Sequence, residues 1–378
     1  MIYLDNAAST WPKPPEVAEA MLQVMREFAA NPGRSGHRLA LQAAATIEQT
    51  RTRLAKLFHV KNPNDVIFTQ NATESINLGL KGYLKPGDHV VTTSLEHNSV
   101  RRPLEFLRQN GIDVTYVTVS DSDDSLLRDV EESFRKNTKL LVVTHASNLT
   151  GRILPIEQLG WIARRHNVKF MVDASQTAGF WPIDVEAMNI DLLAFPGHKS
   201  LYGPQGTGGL YIHPELDLVP LLHGGTGGQS ELAEQPPTRP DRYESGTRNT
   251  VGIAGLGAGL KFIEETGLET IRKHEEQLTR LLIEELSAIP GLALYGPDRD
   301  QPRCPVVSFS MEGYDANEVG FILDTHYQIA VRAGLHCSPL AHETVGTIRT
   351  GLVRASLGYF NTEQEIGELV RALKEIAG

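Results

Sequence analysis

Phe170-Met171-Val172-Asp173-Ala174-Ser175-Gln176 is a short apolar run that stops on a carboxylate, and Leu192-Leu193-Ala194-Phe195-Pro196-Gly197-His198-Lys199 is another that runs into a lysine. Short, bounded apolar runs rich in β-branched and aromatic residues read as buried strands. Upstream lie Val66-Ile67-Phe68-Thr69, Val90-Val91-Thr92-Thr93, Val114-Thr115-Tyr116-Val117 and Leu140-Leu141-Val142-Val143, most of them separated by stretches with helical spacing. Strands and helices that alternate along a chain imply a mostly parallel sheet wrapped by helices, the α/β class. Gly209-Leu210-Tyr211-Ile212 adds a hairpin-like partner for the run at 192–195, across a glycine-rich loop.

Helical spacing also covers residues 15–28 and 39–58, and after a small, glycine-rich stretch at 246–259 a long charged helix is expected over 260–289. Strand candidates at 306–311, 329–332 and 354–357, then a helix after Asn361, suggest a small α+β domain. Single cores rarely grow beyond about 250 to 300 residues. A chain of 378 residues is therefore expected to divide, with 13–250 as the large domain and 1–12 plus 251–378 as the smaller one.

Lys and Arg number 36 against 46 Asp and Glu, a formal net charge of -10, and no basic cluster stands out. An electrostatic grip on nucleic acid or an anionic membrane is not expected. No basic start leads into an apolar stretch and no apolar run is long enough to span a bilayer, so the expectation is a soluble, cytoplasmic protein. Cys304 and Cys337 are the only cysteines, which excludes a disulfide framework and a paired-cysteine metal motif. His336, Cys337 and His342 make a weak zinc case, and no metal is expected.

Ligands in open α/β sheets gather at the carboxyl ends of strands. The run at 66–69 leads into Asn71-Ala72-Thr73, either an ordinary helix cap or an anion site of free amides and a hydroxyl. His97, after the run at 90–93, is a loop histidine bonded to backbone or one that stacks on a ring and shuttles a proton. Asn148 is a turn residue or a donor to a ring oxygen. Asp173 is sharper, because a buried carboxylate needs a cation, and a protonated pyridine nitrogen is one. Lys199 by itself reads as a surface lysine; with its pKa lowered by burial it can form an imine with an aldehyde. In this order the groups describe a pyridoxal phosphate site. The glycine-rich stretch at 203–209 fits neither dinucleotide nor Walker patterns. Cys337 follows Gly334-Leu335-His336 and precedes Ser338-Pro339, a loop that suits an accessible nucleophile, whereas Cys304 opens a core strand.

Tyr3-Leu4-Asp5-Asn6-Ala7-Ala8-Ser9, Glu96-His97-Asn98-Ser99, Val172-Asp173-Ala174-Ser175-Gln176, Gly197-His198-Lys199, Glu244-Ser245-Gly246-Thr247, Arg332-Ala333-Gly334-Leu335-His336-Cys337 and Arg354-Ala355-Ser356-Leu357 together resemble the cysteine desulfurases of the class V aminotransferase family, in particular the SUF-type branch that includes selenocysteine lyases. The resemblance covers nearly the whole chain. It implies the aspartate aminotransferase-like fold of pyridoxal phosphate enzymes and conversion of L-cysteine to L-alanine, with sulfur passing to Cys337 as a persulfide. It further implies that Lys199 holds the cofactor, Asp173 pairs with its ring nitrogen and His97 stacks on the ring. Gln176 and Asn148 would contact the ring oxygen or its surroundings, and Ala72, Thr73 and His198 would hold the phosphate. Thr247 would reach that phosphate from a neighbouring subunit of a homodimer. Arg354 would clamp the substrate carboxylate, and Arg34 would line the substrate entrance. A sulfur-acceptor protein or iron-sulfur scaffold is the implied partner. Similar proteins usually carry serine at Pro196 and often histidine at Leu335. Selenocysteine lyase, aminotransferase or epimerase chemistry on the same fold is the alternative, and an accessory protein that only binds a sulfur-transfer partner is the rival outside catalysis.

Overall fold

The computed structural model describes residues 1–33, 36–120 and 122–378. Its largest sheet has seven strands in the order Val66–Thr69, Gly208–Ile212, Leu192–Pro196, Lys169–Asp173, Thr138–Thr144, His89–Thr93 and Asp113–Val117. Every pairing is parallel except those of Gly208–Ile212, which runs antiparallel to both neighbours. The hairpin-like pair expected from residues 192–195 and 209–212 is thus present.

Side chains alternate along the central strands. Leu141, Val143, Phe170, Val172, Leu193 and Phe195 join one core with helices Arg38–Leu57 and Ile156–Arg165. Leu140, Val142, Met171, Leu192 and Ala194 join another with helices Ala72–Tyr83 and Asn98–Gln109. A sheet covered on both faces is why these strands read as continuous apolar runs and not as alternating ones. Each such side chain contributes about 1.5–3 kcal/mol by burial. The result is a rigid platform whose strands end in register, with Thr144 beside Asp173 and Asp173 beside Ala194.

The glycine-rich stretch belongs to a helix, Thr250–Thr266, whose Ile253, Leu256, Leu260 and Ile263 enter the first core. Small residues allow a close approach: a Cβ on Gly259 would lie 2.4 Å from the Leu201 carbonyl oxygen, in the loop that follows Lys199. The expected single helix over 260–289 is two, Thr250–Thr266 and Leu268–Ser287, broken at Gly267, where φ is +89°. Charged helical spacing continues through the break, so only the glycine signals it.

A second sheet, ordered Arg332–Gly334, Leu352–Ser356, Val306–Met311 and Leu292–Tyr295, is antiparallel and packs on helices Leu268–Ser287, Ala316–Tyr327 and Glu363–Ala377. The candidate strand at 329–332 splits: Ile329–Ala330 pairs in parallel with Ile2–Tyr3, while Arg332 enters the second sheet opposite Arg354. Strand Leu292–Tyr295 and helix Ala316–Tyr327 have no counterpart in the sequence reading. The architecture is the expected α/β fold with a large, mostly parallel sheet and a smaller α+β part at the C-terminal end.

Candidate active site

Strand Lys169–Asp173 delivers a buried carboxylate to its carboxyl end. Asp173 Oδ1 accepts hydrogen bonds from the Ser175 amide (3.0 Å) and the Ser175 hydroxyl (2.5 Å). Burial nevertheless pushes this carboxyl above its usual range, against the opposing pull of those bonds and of Lys199. A cation held nearby would reverse that shift.

Lys199 follows strand Leu192–Pro196, and burial lowers its amine to about 8, with the Asp173 charge acting the other way. The peptide before it is clasped by the N-terminal segment: the His198 carbonyl accepts from the Thr10 amide (3.1 Å), Lys13 Nζ (3.1 Å) and the Ser9 hydroxyl (3.3 Å). Lys13 is itself brought down to about 8 by burial. His198 falls to about 4 through burial and the charges of Lys199 and Lys13, and its buried Nδ1 has no hydrogen-bond partner among the described residues.

His97 caps helix Asn98–Gln109, where Nδ1 accepts from the Ser99 amide at 3.1 Å and meets the Ser99 hydroxyl at 2.7 Å. An accepting Nδ1 leaves the proton on Nε2. Burial first, then the nearby cations beginning with Lys199, bring His97 to about 4, so the ring is neutral and suited to stacking. Glu96 beside it is fully buried; one oxygen takes the Thr93 hydroxyl (2.7 Å) and the Thr144 amide (3.0 Å), the other has no partner among the described residues, and burial lifts the group to about 8.

Ala72 and Thr73 open helix Ala72–Tyr83 behind the Asn71 cap, so their amides have no acceptor four residues back within the helix. The Thr73 hydroxyl lies 3.0 Å from that of Ser99. Thr73, His97, Ser99 and Cys337 line one cleft of about 430 Å³.

Cys337 is exposed, and it and His336 have φ of +57° and +51° in the left-handed region. Its sulfur receives Arg332 Nη2 at 3.4 Å, and its carbonyl receives the Asn98 amide at 2.8 Å, directly after His97. Asn148 spends its side chain on this loop, donating to the His336 carbonyl (2.8 Å) and accepting from the Ser338 hydroxyl (2.5 Å). Its own carbonyl accepts Arg354 Nη1 at 2.9 Å. Arg354 is buried, its Nη2 bonded to Asp5 at 2.7 Å and its Nε without a partner among the described residues. Gln176 donates to the Ala7 carbonyl at 3.2 Å.

Thr247 is exposed, accepts from Asn31 at 3.3 Å and does not line the Cys337 cleft. Its segment is anchored by the buried ion pair Arg51–Glu244, at 2.7 Å. Arg34 lies outside the described residues. Asp5, Lys13, Glu96 and Arg332 were not singled out by sequence reasoning. Three of them stand in the quoted motifs, but Lys13 carried no signal.

The set fits a phosphorylated pyridine aldehyde. Among the described residues its donors are an unpartnered His198 nitrogen and open helix amides for phosphate, and the raised Asp173 carboxyl would be matched by the cation of a protonated ring. The family model for class-V aminotransferases matches residues 2–369. The chain belongs to that family. Pyridoxal phosphate is accordingly its cofactor, and it is an enzyme. A probable cysteine desulfurase of Methanothermobacter thermautotrophicus is 36% identical over 389 residues, covering 100% of this chain and 95% of the relative. A cysteine desulfurase of Escherichia coli is 34% identical over 388 residues, covering 100% and 93%. The apo structure of the Thermococcus onnurineus cysteine desulfurase superposes with a TM-score of 0.92 at 34% identity, covering 100% of this chain and 94% of that one. This member of the family therefore shares its full length with proteins named for desulfuration.

Proposed function

We propose that the protein is a cysteine desulfurase, converting L-cysteine to L-alanine and carrying the sulfur on Cys337. The observation that carries this is an exposed cysteine, held at sulfur by Arg332, in the same cleft as His97. An aminotransferase or epimerase has no use for such a thiol.

Bound pyridoxal phosphate supplies an electron sink for charge developing at the substrate Cα. Ala72 and Thr73 amides with His198 would hold its phosphate, joined by Thr247 of a second subunit in a homodimer, and Asp173 would keep a proton on the ring nitrogen. His97 would stack on the ring. Gln176 would border the ring oxygen, whereas both polar atoms of the Asn148 side chain are engaged by the Cys337 loop. Lys199, its amine brought to about 8, removes the α-proton in its neutral form. Arg354 clamps the substrate carboxylate with two parallel bonds. Asp5 and the Asn148 carbonyl already hold its two terminal nitrogens, so carboxylate binding must displace or share those contacts.

The Cys337 thiolate then attacks the substrate sulfur. A Cys337 S–S bond forms, the substrate Cβ–S bond breaks, and the electron pair left on carbon takes a proton to become the methyl of alanine. Arg332 steadies the attacking sulfur. The persulfide passes to a small sulfur-carrier protein or an iron-sulfur scaffold. Absorbance of the purified protein before and after L-cysteine, with alanine and sulfide assayed under reductant, tests this. A cofactor band with equal alanine and sulfide is expected, while a band without sulfide moves the reaction elsewhere.

A further inference from the structure

His336 and His342 are buried imidazoles that the reaction as described leaves idle. Their rings lie nearly parallel, 10° apart in plane with centroids at 5.7 Å. Around them runs a continuous chain of contacts. The Thr347 hydroxyl is 2.8 Å from His342 Nδ1, His342 Nε2 is 3.5 Å from His336 Nδ1, and His336 Nε2 is 3.2 Å from the Arg332 carbonyl.

The direction of this chain follows from its last member. A carbonyl only accepts, so His336 carries its proton on Nε2 and leaves Nδ1 bare. His342 must then turn Nε2–H toward that nitrogen, which leaves its own Nδ1 to accept from Thr347. Burial keeps both rings neutral, with His336 brought down to about 3 and His342 also lowered. Among the described residues no group of three or more metal-ligating side chains converges, so the pair has each other as partners and no third ligand.

The chain ends on a residue that matters. Arg332 places the guanidinium on the Cys337 sulfur, in a short strand at the edge of its sheet that pairs with Leu352–Ser356. His336 and Cys337 hold left-handed angles that non-glycine residues keep only where surrounding contacts over-determine them. Asn148 restrains the loop from one side. The imidazole chain is the restraint on the other.

We propose that His342 is a positioning residue for persulfide formation: through His336 it fixes the Arg332 backbone, and thereby the guanidinium that holds the Cys337 sulfur. This rests on Cys337 being the sulfur acceptor. Glutamine at 342 sets an amide nitrogen where Nε2–H stands, whereas phenylalanine keeps the ring volume and removes the donor.

The test uses the holoenzyme with His342→Gln, His342→Phe and Thr347→Val, following three signals: single-turnover persulfide formation from L-cysteine, the rate at which iodoacetamide alkylates Cys337, and the cofactor's spectral response to L-cysteine. A sub-ångström to ångström displacement of a reacting group costs roughly tenfold to a hundredfold in rate, and His342→Phe is expected to lose that much in persulfide formation, with altered alkylation and an unchanged spectral response. His342→Gln should recover most of the loss and Thr347→Val should fall between; if the phenylalanine variant does not fold, Thr347→Val decides. A His342→Phe rate equal to wild type, a glutamine variant as slow as phenylalanine, or a spectral response that falls in parallel overturns the proposal. Absence of a persulfide in the wild type overturns the desulfurase reading itself, and is seen before any variant is made.

Discussion

Asp173 and Lys199 stand where strands packed on both faces end, whereas Cys337 stands in a loop with left-handed backbone, held by side chains from elsewhere in the chain. One site thereby obtains two kinds of control. At the strand ends, burial sets the chemistry: it lifts the Asp173 carboxyl and brings the Lys199 amine to about 8. At the loop, hydrogen bonds set the geometry while the sulfur stays open to solvent. Sulfur has to leave on an acceptor, so only the second arm needs to be exposed.

The largest effects should separate the two arms. Lys199→Ala is expected to remove the covalent cofactor band and lower desulfuration by at least about 10³-fold, the scale of a lost general base together with lost cofactor anchoring. Cys337→Ser should keep the band and its response to L-cysteine, yet form no persulfide. Loss of the band in Cys337→Ser would show that the arms are one structural unit.

Asn148 is where they meet. Truncation to alanine strands the His336 carbonyl and the Ser338 hydroxyl, a cost of about 1–3 kcal/mol for each buried group left unpaired. Thermal melting should register that loss, and persulfide formation should slow by about tenfold or more as the loop loosens. The cofactor band should change little. A larger effect on the band than on the persulfide would return Asn148 to the ring-contact role that its strand-end position suggests.

A smaller effect concerns pH. Imine formation needs the neutral amine, so cofactor uptake by apoprotein should rise by about tenfold per pH unit while Lys199 is mostly protonated and level off once the pH passes its value. With the amine at about 8, the plateau begins near there and not beyond pH 10. Stopped-flow absorbance across pH 6 to about 10 reads this directly, and a rise that continues unbroken past 9 would mean that burial does not set the amine.

The strand-end arm was largely legible because its residues lie within a few positions of apolar runs whose type is unmistakable. The loop arm was not, since its contacts join residues distant in sequence: Asn148 to His336, Ser338 to Asn148, Asn98 to Cys337. Cys337 was found through its flanking glycine and proline, but Arg332 lies inside a strand candidate that splits between two sheets. Nothing local reports such a split. Leu335 illustrates the same limit: it is exposed, while the imidazole that meets His336 comes from His342, in a helix after the loop.

The smallest expected effect belongs to Cys304, and it tests the comparison most strictly. Its thiol is fully buried with Ala7, Ala146, Phe180 and Val306, burial drives its pKa upward, and its sulfur sits 3.5 Å from the Gln176 carbonyl. Iodoacetamide should therefore label Cys337 alone in the native protein and both cysteines in denaturant. Removing one buried sulfur atom leaves a small cavity, so Cys304→Ala should cost about 1 kcal/mol of stability. Turnover should stay within about twofold, because the carbonyl loses only a weak thiol donor. A marked fall in turnover at unchanged melting temperature would mean that the Gln176 backbone depends on that contact. The buried thiol would then belong to the strand-end arm and not merely to the core behind it.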